Sequence, residues 1–320
     1  MTRFQANLLL MVAATIWGST FFFQHQAMDA MGPQLFTACR FLLGGLFVVP
    51  FAMRECRKLR EQRQANPTEK HGKGERLFST MDWGLMIVVG LFIFMGTILQ
   101  QIGIIYTTVT KAGFLTAIYV PLVPIMGYLF FRDKPHFLVV FAVLSSFFGT
   151  FLLSGADLGM FLSLSLNKGD AYVMASALFW AAHVLVLGRV AVRVGSPLTL
   201  AATQFLVCAV ISGVFAIATE EISWAAIVEI WPMIAYAGIG SVGIAFTLQV
   251  VGQAHTQATD AAIILSMETL VAALCGALFL SERLTALEFL GCALIFSAVL
   301  IVEVLPLVLR KLRKKAVPQT

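Results

Sequence analysis

Away from the ends of the long apolar runs stand two formally charged residues, Arg40 within 33–53 and Glu268 within 260–280. A charged side chain at the bilayer centre costs about 2.5–3.5 kcal/mol on insertion scales, so such residues usually face a cavity or a partner. Glu268 lies mid-run. It can receive an amine or a proton, or it can be a neutral or paired packing group. Arg40 lies about a third of the way in. It can touch a bound solute, satisfy helix-end carbonyls, or snorkel towards the surface. The other side chains that could do chemistry are amides and aromatics: Gln100, Gln249, Trp17, Trp180, Tyr119 and His183. Amides in hydrocarbon need partners, so Gln100, Gln101 and Gln249 are expected to point inward, either lining a cavity or joining helices. His183 follows Trp180 by three residues and shares its helical face. It can line a cavity, titrate, or be a hydrogen-bonded core residue. No second His, Asp or Cys stands at metal-ligand spacing near it. No catalytic residue, metal or cofactor is expected.

The elements that carry these residues must be membrane helices. The chain has 320 residues, 59% of them hydrophobic and 12% charged, with a mean hydropathy of +0.88. Ten spans of about 20 residues need about 200 residues, close to the apolar total. That composition excludes a soluble domain, a disordered chain and a nucleic-acid binder. The five cysteines (39, 56, 208, 275 and 292) show no CxxC spacing and imply no disulfide framework. Ten apolar runs stand at about 6–24, 33–53, 82–105, 111–131, 136–154, 170–188, 197–218, 231–251, 260–280 and 286–308. The first resembles a signal peptide, but it lacks a convincing cleavage site and continues to Phe23, so a retained helix is expected.

Lys and Arg divide unevenly between alternate connections. One side receives Arg3, eight residues in 54–76, Arg132 with Lys134, Arg189 with Arg193, and five in 310–315, eighteen in all. The other receives Lys111, Lys168 and Arg283. An excess of this size places the richer side, with both termini, in the cytoplasm. The loop 54–76 carries four Glu among its basic residues and reads as a solvated connector, with contact to anionic lipid as the alternative.

The sequence repeats itself. An offset of 149 pairs Gln100 with Gln249, Gly103 with Gly252, Thr107 with Thr256, Ala112 with Ala261, Gly127 with Gly276, and Asp133-Lys134 with Glu282-Arg283. Trp17 pairs with Trp180, and Pro33 with Pro197 one residue out of step. Five spans per copy is an odd number, so the second copy enters the membrane the other way round. Inverted repeats mark secondary transporters, whose sites lie near the midplane where the halves meet. The charged residues break the symmetry: Glu268 corresponds to Tyr119, and Arg40 to Gln204.

The segments Ala14–Ser19 (ATIWGS), Ala112–Thr116 (AGFLT), Ser266-Met267-Glu268 and Phe279–Leu284 (FLSERL) together resemble the EamA-domain proteins of the drug/metabolite transporter superfamily, over about residues 6–305. The resemblance implies an all-α integral membrane protein with ten transmembrane helices, as two inverted five-helix repeats around a central cavity. The expected units are repeat 1 at 6–154, a periplasmic linker at 155–169, repeat 2 at 170–308 and a basic cytoplasmic tail at 309–320. It also implies transport of small metabolites, amino acids or drug-like compounds across the bacterial inner membrane, often outward. The expected contacts with a small-molecule substrate are Trp17, Gln100, Tyr119, Trp180, His183, Gln249 and Glu268. Glu268 and Arg40 are the candidates for coupling, protons being the candidate partner beside the lipid bilayer. Many relatives follow the Glu matching Glu268 with Pro; this chain has Thr269, which puts any Pro-dependent helix break there in question.

Gly238–Gly243 fits G-x-G-x-x-G, but it sits inside an apolar span with no βαβ unit around it, so close helix packing explains it better. The rival class, a membrane enzyme acting on a lipid-like substrate, needs an interfacial catalytic constellation, and none appears. A P-loop is also missing, so this chain alone does not run on ATP. The charge asymmetry makes a direct prediction. Single-Cys labelling is expected to find position 65 and the C-terminal tail cytoplasmic, and positions 160 and 224 periplasmic. Termini on opposite sides would end the ten-span reading.

Overall fold

The computed structural model describes residues 1–65, 77–107, 109–154, 167–279 and 285–316, with backbone alone at 21–22, 109–110, 275–279 and 305–316. The repeat partners Gly276, Glu282 and Arg283, Cys275, loop residues 66–76, and linker residues 155–166 lie outside this description or outside its side chains. Every regular element among the described residues is helical, the economical answer to hydrocarbon, because a helix satisfies its backbone internally. The elements are α1 (Arg3–Ala27), α2 (Pro33–Ala65), α3 (Thr80–Tyr106), α4 (Val109–Thr116), α5 (Tyr119–Phe131), α6 (Phe137–Leu153), α7 (Lys168–Val194), α8 (Pro197–Thr219), α9 (Trp224–Glu229) and α10 (Trp231–Ala235). A π-helical segment (Tyr236–Phe246) follows, then α11 (Thr247–Gln253), α12 (Ala258–Leu265), α13 (Met267–Phe279) and α14 (Ala286–Ala316).

Seven helical stretches are long and apolar enough to cross a membrane: 33–65, 80–106, 111–131, 168–194, 197–219, 231–253 and 286–304. Helices also occupy the other three expected spans, as the 25-residue α1, the 17-residue α6 and the broken pair α12–α13. Two elements outrun the expected spans. The α2 helix continues to Ala65, so the first part of the basic stretch read as a connector is helical, and an i,i+4 pair between Arg57 and Glu61 supports it. The α14 helix likewise continues through the basic tail to Ala316.

Packing is organised around α1 and α7. The first lies against the π segment, α11, α12 and α13; the second lies against α3, α4 and α5. The α2 and α8 helices run along one another, and α6 pairs with α14. Glycines permit the closest crossings. A Cβ on Gly103 would meet the Gly169 carbonyl at 2.9 Å and Val173 at 2.5 Å; one on Gly252 would meet the Ala6 carbonyl at 3.0 Å and Leu10 at 2.9 Å. One turn beyond each glycine a threonine repeats the same handshake. Thr107 Oγ1 donates to Asp170 Oδ1 at 2.7 Å, and Thr256 Oγ1 donates to Asn7 Oδ1 at 2.7 Å.

The helix ends of α2 and α8 cap each other. Both begin with proline at the first position, where a missing N–H costs nothing. The Glu220 carboxylate, just past α8, accepts from the Gln34 and Leu35 amides of α2, both at 2.8 Å. The Glu55 carboxylate, on α2, accepts from the Leu198 and Thr199 amides of α8 at 3.1 and 3.2 Å. Each carboxylate satisfies orphan amides at the positive end of a helix dipole. Gly32 makes room for this: a Cβ there would stand 2.2 Å from Glu220 Cδ. Gly32→Ala is therefore expected to destabilise the detergent-purified protein by about 2 kcal/mol, the scale of a lost charged hydrogen bond. It should act through Glu220, so that Gly32→Ala in a Glu220→Ala background adds little. Additive losses in thermal unfolding would refute that route.

Candidate functional site

Two helices of the bundle are interrupted beside the same cavity. Between α4 and α5 the cause is Pro121, which lacks an N–H and crowds the carbonyl four residues earlier, at Ala117. Between α12 and α13 no proline is present, yet the helix breaks at Ser266. Hydroxyls replace the ring: Thr269 Oγ1 donates to the Ser266 carbonyl at 2.8 Å, and Ser266 Oγ donates to the Ile263 carbonyl at 2.6 Å. Local side-chain bonds of this kind compete with the helical ladder. The break therefore survives the replacement of proline by Thr269.

The two breaks flank a small cavity of about 60 Å³. Trp17, Gln100, Tyr119, Trp180, Gln249 and Glu268 all line it, and so does Arg40. His183 does not. Its ring stands behind the aromatic wall, edge-on to Trp180 and Phe246 at 5.9 and 6.4 Å, with Nε2 2.9 Å from Gln204 Oε1. It shares a helical face with Trp180, as its spacing required, but Gln204 supplies the core partner that turns it away.

Further lining residues extend the same helical faces. Thr20 and Gln24 follow Trp17 by three and seven residues, Thr97 precedes Gln100 by three, and Thr116 precedes Tyr119 by three. Periodicity from the named residues points to all of them. Phe246 likewise precedes Gln249 by three, but Ser241 lies five residues before Phe246, a spacing that places side chains on different faces of an α-helix. The π segment's wider i→i+5 turn brings both onto the cavity. Trp17 Nε1 donates to the Ser241 carbonyl at 3.4 Å. Phe246 is the hub of the wall, with Trp180 stacked on it at 5.9 Å and Trp17 tilted against it at 4.5 Å.

Glycines in the conspicuous segments have plain tasks. Gly18, beside Trp17, brings α1 onto the first turn of α13, where a Cβ would lie 2.4 Å from the Glu268 carbonyl. Gly238 packs on Leu43 and the Arg40 carbonyl, and Gly243 on Phe47; the G-x-G-x-x-G run is a helix-packing face. Glu268 is 8% exposed and has no hydrogen-bond or ion-pair partner among the described residues.

The matched glutamines differ. Gln100 Nε2 donates to Thr116 Oγ1 at 2.8 Å. Gln249 faces the cavity beside Leu265, the repeat counterpart of Thr116, and its Oε1 is buried with no partner. A leucine offers nothing to an amide, so that acceptor stays available.

A family model described as the EamA-like transporter family matches residues 4–155 and 167–304. The chain belongs to the EamA-like transporter family. It is 32% identical over 304 residues to an uncharacterized transporter of Archaeoglobus fulgidus, covering 94% of this chain and 86% of that one. A crystal structure shares the fold with a TM-score of 0.73 at 20% identity, over 95% of this chain and 98% of the other. With its apolar helices, this EamA-like chain is a multi-pass membrane protein, and its family and relative identify it as a membrane transporter.

In this EamA-like transporter the two glutamines should separate by mutation. Gln100→Leu removes the bond to Thr116 Oγ1, which keeps its own bond to the Ala112 carbonyl at 2.8 Å, and is expected to cost about 1 kcal/mol of stability. Gln249→Leu breaks no bond, so unfolding should change little while solute flux in proteoliposomes falls. Equal flux from wild type and Gln249→Leu would remove Gln249 from the site.

Proposed function

We propose that the protein is a ten-helix secondary transporter of two inverted five-helix repeats, 6–154 and 170–308, moving a small amine-bearing solute by alternating access. An amino acid is the favoured cargo, and export or exchange the favoured direction. The observation that carries the reading is the partnerless carboxyl of Glu268 on a midplane cavity walled by indole and amide groups from both halves. A carboxylate suits an ammonium group, and the faces of Trp17 and Trp180 add cation–π attraction. Broken helices around the site are what such transporters use.

Several pairs of contacts support the inverted repeat. The Gly103 and Gly252 crossings, the Thr107–Asp170 and Thr256–Asn7 bonds, and the Glu55 and Glu220 caps each join corresponding positions at opposite ends of the bundle. The family model also matches the chain in two stretches. Before the middle of the π segment the register differs: Trp83 with Trp231 and Gly90 with Gly238 stand 148 apart, whereas Gln100 and Gln249 stand 149 apart. One added residue within Tyr236–Phe246 accounts for both offsets and for the π turn. On this reading the end of the bundle bearing Arg3 faces the cytoplasm of a bacterial cell, across the inner membrane.

Alternating access needs a barrier between the cavity and that end. A second hollow there is lined by Asp133, Arg189, Gly188, Leu185 and Gln253. The Gln253 side chain donates to the Val184 carbonyl at 2.9 Å, tying α11 to α7 between the two spaces. Rocking of the halves would part this layer.

Glu268 also provides a coupling route. A bare carboxylate at this depth is costly whenever no cation is present, so a proton and the cationic group of the solute can replace one another. Glu268→Gln keeps the shape and cannot titrate. The expected result in proteoliposomes is loss of acceleration by an imposed pH gradient, with simple exchange retained. Full gradient-driven flux from the mutant would assign coupling elsewhere.

A further inference from the structure

Arg40 differs from every other cation in the described ion pairs. Arg3, Arg57, Lys111, Arg189 and Arg193 each meet a carboxylate, and all five pairs lie at the ends of the bundle or in its polar extensions. Arg40 is 5% exposed and has no carboxylate within ion-pair distance among the described residues. Glu268 lines the same cavity, yet no ion pair joins the two. Buried charges are ordinarily paired, because an uncompensated one costs several kcal/mol.

The guanidinium is held rather than neutralised. Its Nη1 donates to Gln24 Oε1 at 2.8 Å, and the Gln24 carbonyl accepts from Gln101 Nε2 at 3.2 Å. The rings of Phe36 and Phe41 lie 5.2 and 5.4 Å from its Cζ. The Nε–H has no acceptor. Two further cavity-lining groups able to donate, Thr97 Oγ1 and Trp180 Nε1, are buried without partners as well. An oriented cation with idle donors around it is the arrangement that receives an oxyanion, since arginine's planar fork matches a carboxylate. In the second half the corresponding Gln204 is neutral and bonded to His183, so the device exists on one side of the cavity only.

We propose that Arg40 anchors a carboxylate of the solute, with Thr97 and Trp180 donating beside it, so that the cargo class is a zwitterionic amino acid rather than a simple amine. The inference rests on the cavity being the transport site. It adds to that reading a second charged end and a fixed direction of binding: carboxylate at Arg40, ammonium at Glu268. Such a cargo neutralises both buried charges at once.

The test uses matched triads on the purified full-length chain: leucine, isoamylamine and 4-methylpentanoate, and phenylalanine, phenethylamine and 3-phenylpropanoate. Affinities come from thermal-shift titration. For wild type at least one amino acid is expected to bind about tenfold more tightly than its amine. Arg40→Gln should remove that preference. Arg40→Lys keeps the charge without the fork and should retain part of it, and it serves where Arg40→Gln does not fold. Equal wild-type affinity for amino acid and amine would overturn the carboxylate subsite while leaving the amine-transport reading in place. A preference that persists in Arg40→Gln would overturn it equally. No binding of any of the six probes to wild type would overturn both.

Discussion

Hydrocarbon leaves a backbone no water to bond with, and the architecture follows from that constraint. Each apolar stretch must close its own hydrogen bonds, which makes it a helix. Each helix end within reach of the slab must be given partners. The Glu55 and Glu220 carboxylates serve the amides at the starts of α8 and α2, and capping boxes at Thr2, Ser79 and Asn167 serve α1, α3 and α7. Exceptions are tolerated only where the freed groups find something else. The breaks at Ala117–Ile118 and Ser266, and the π segment, all border the cavity, where side chains and a bound solute can answer them.

Those exceptions also dictate where chemistry can occur. The helix pairs α2–α8 and α6–α14 are closely packed. The elements around α1 and α7 carry most of the polar side chains that line the cavity. The indoles rest on Phe246, and Gly18 and Gly96 admit a backbone and an indole ring respectively to contacts that a methyl group would block. Closeness in one place thereby keeps space open in the next.

Much of this was legible from residue types. The helices and the gathering of Trp17, Gln100, Tyr119, Trp180, Gln249 and Glu268 around one cavity follow from hydropathy and repetition, because a polar group in an apolar helix has few places to go. What escaped depended on partners that spacing does not reveal. His183 bonds Gln204, a residue of another helix. Gln100 and Gln249 look equivalent until Thr116 and Leu265 are set beside them. The break at Ser266 survives without proline because Thr269 bonds backward. The π turn has no local signature, although a slip of one in the repeat offset accompanies it. Helix propensity in the basic stretch after Met53 outlasts the apolar run, so α2 overran its expected end.

The extra residue of the π segment bears on the resting balance of the molecule. If two inverted halves were identical, exchanging their shapes would turn an outward-open molecule into an inward-open one of equal free energy, and the empty carrier would favour neither side. Tyr236–Phe246 has no counterpart in the unbroken α3 helix, so the exchange cannot be exact and the degeneracy is lifted. Under the proposed alternating access, a single inserted residue would give the empty carrier a preferred orientation, which the cargo's differential binding must then work with or against.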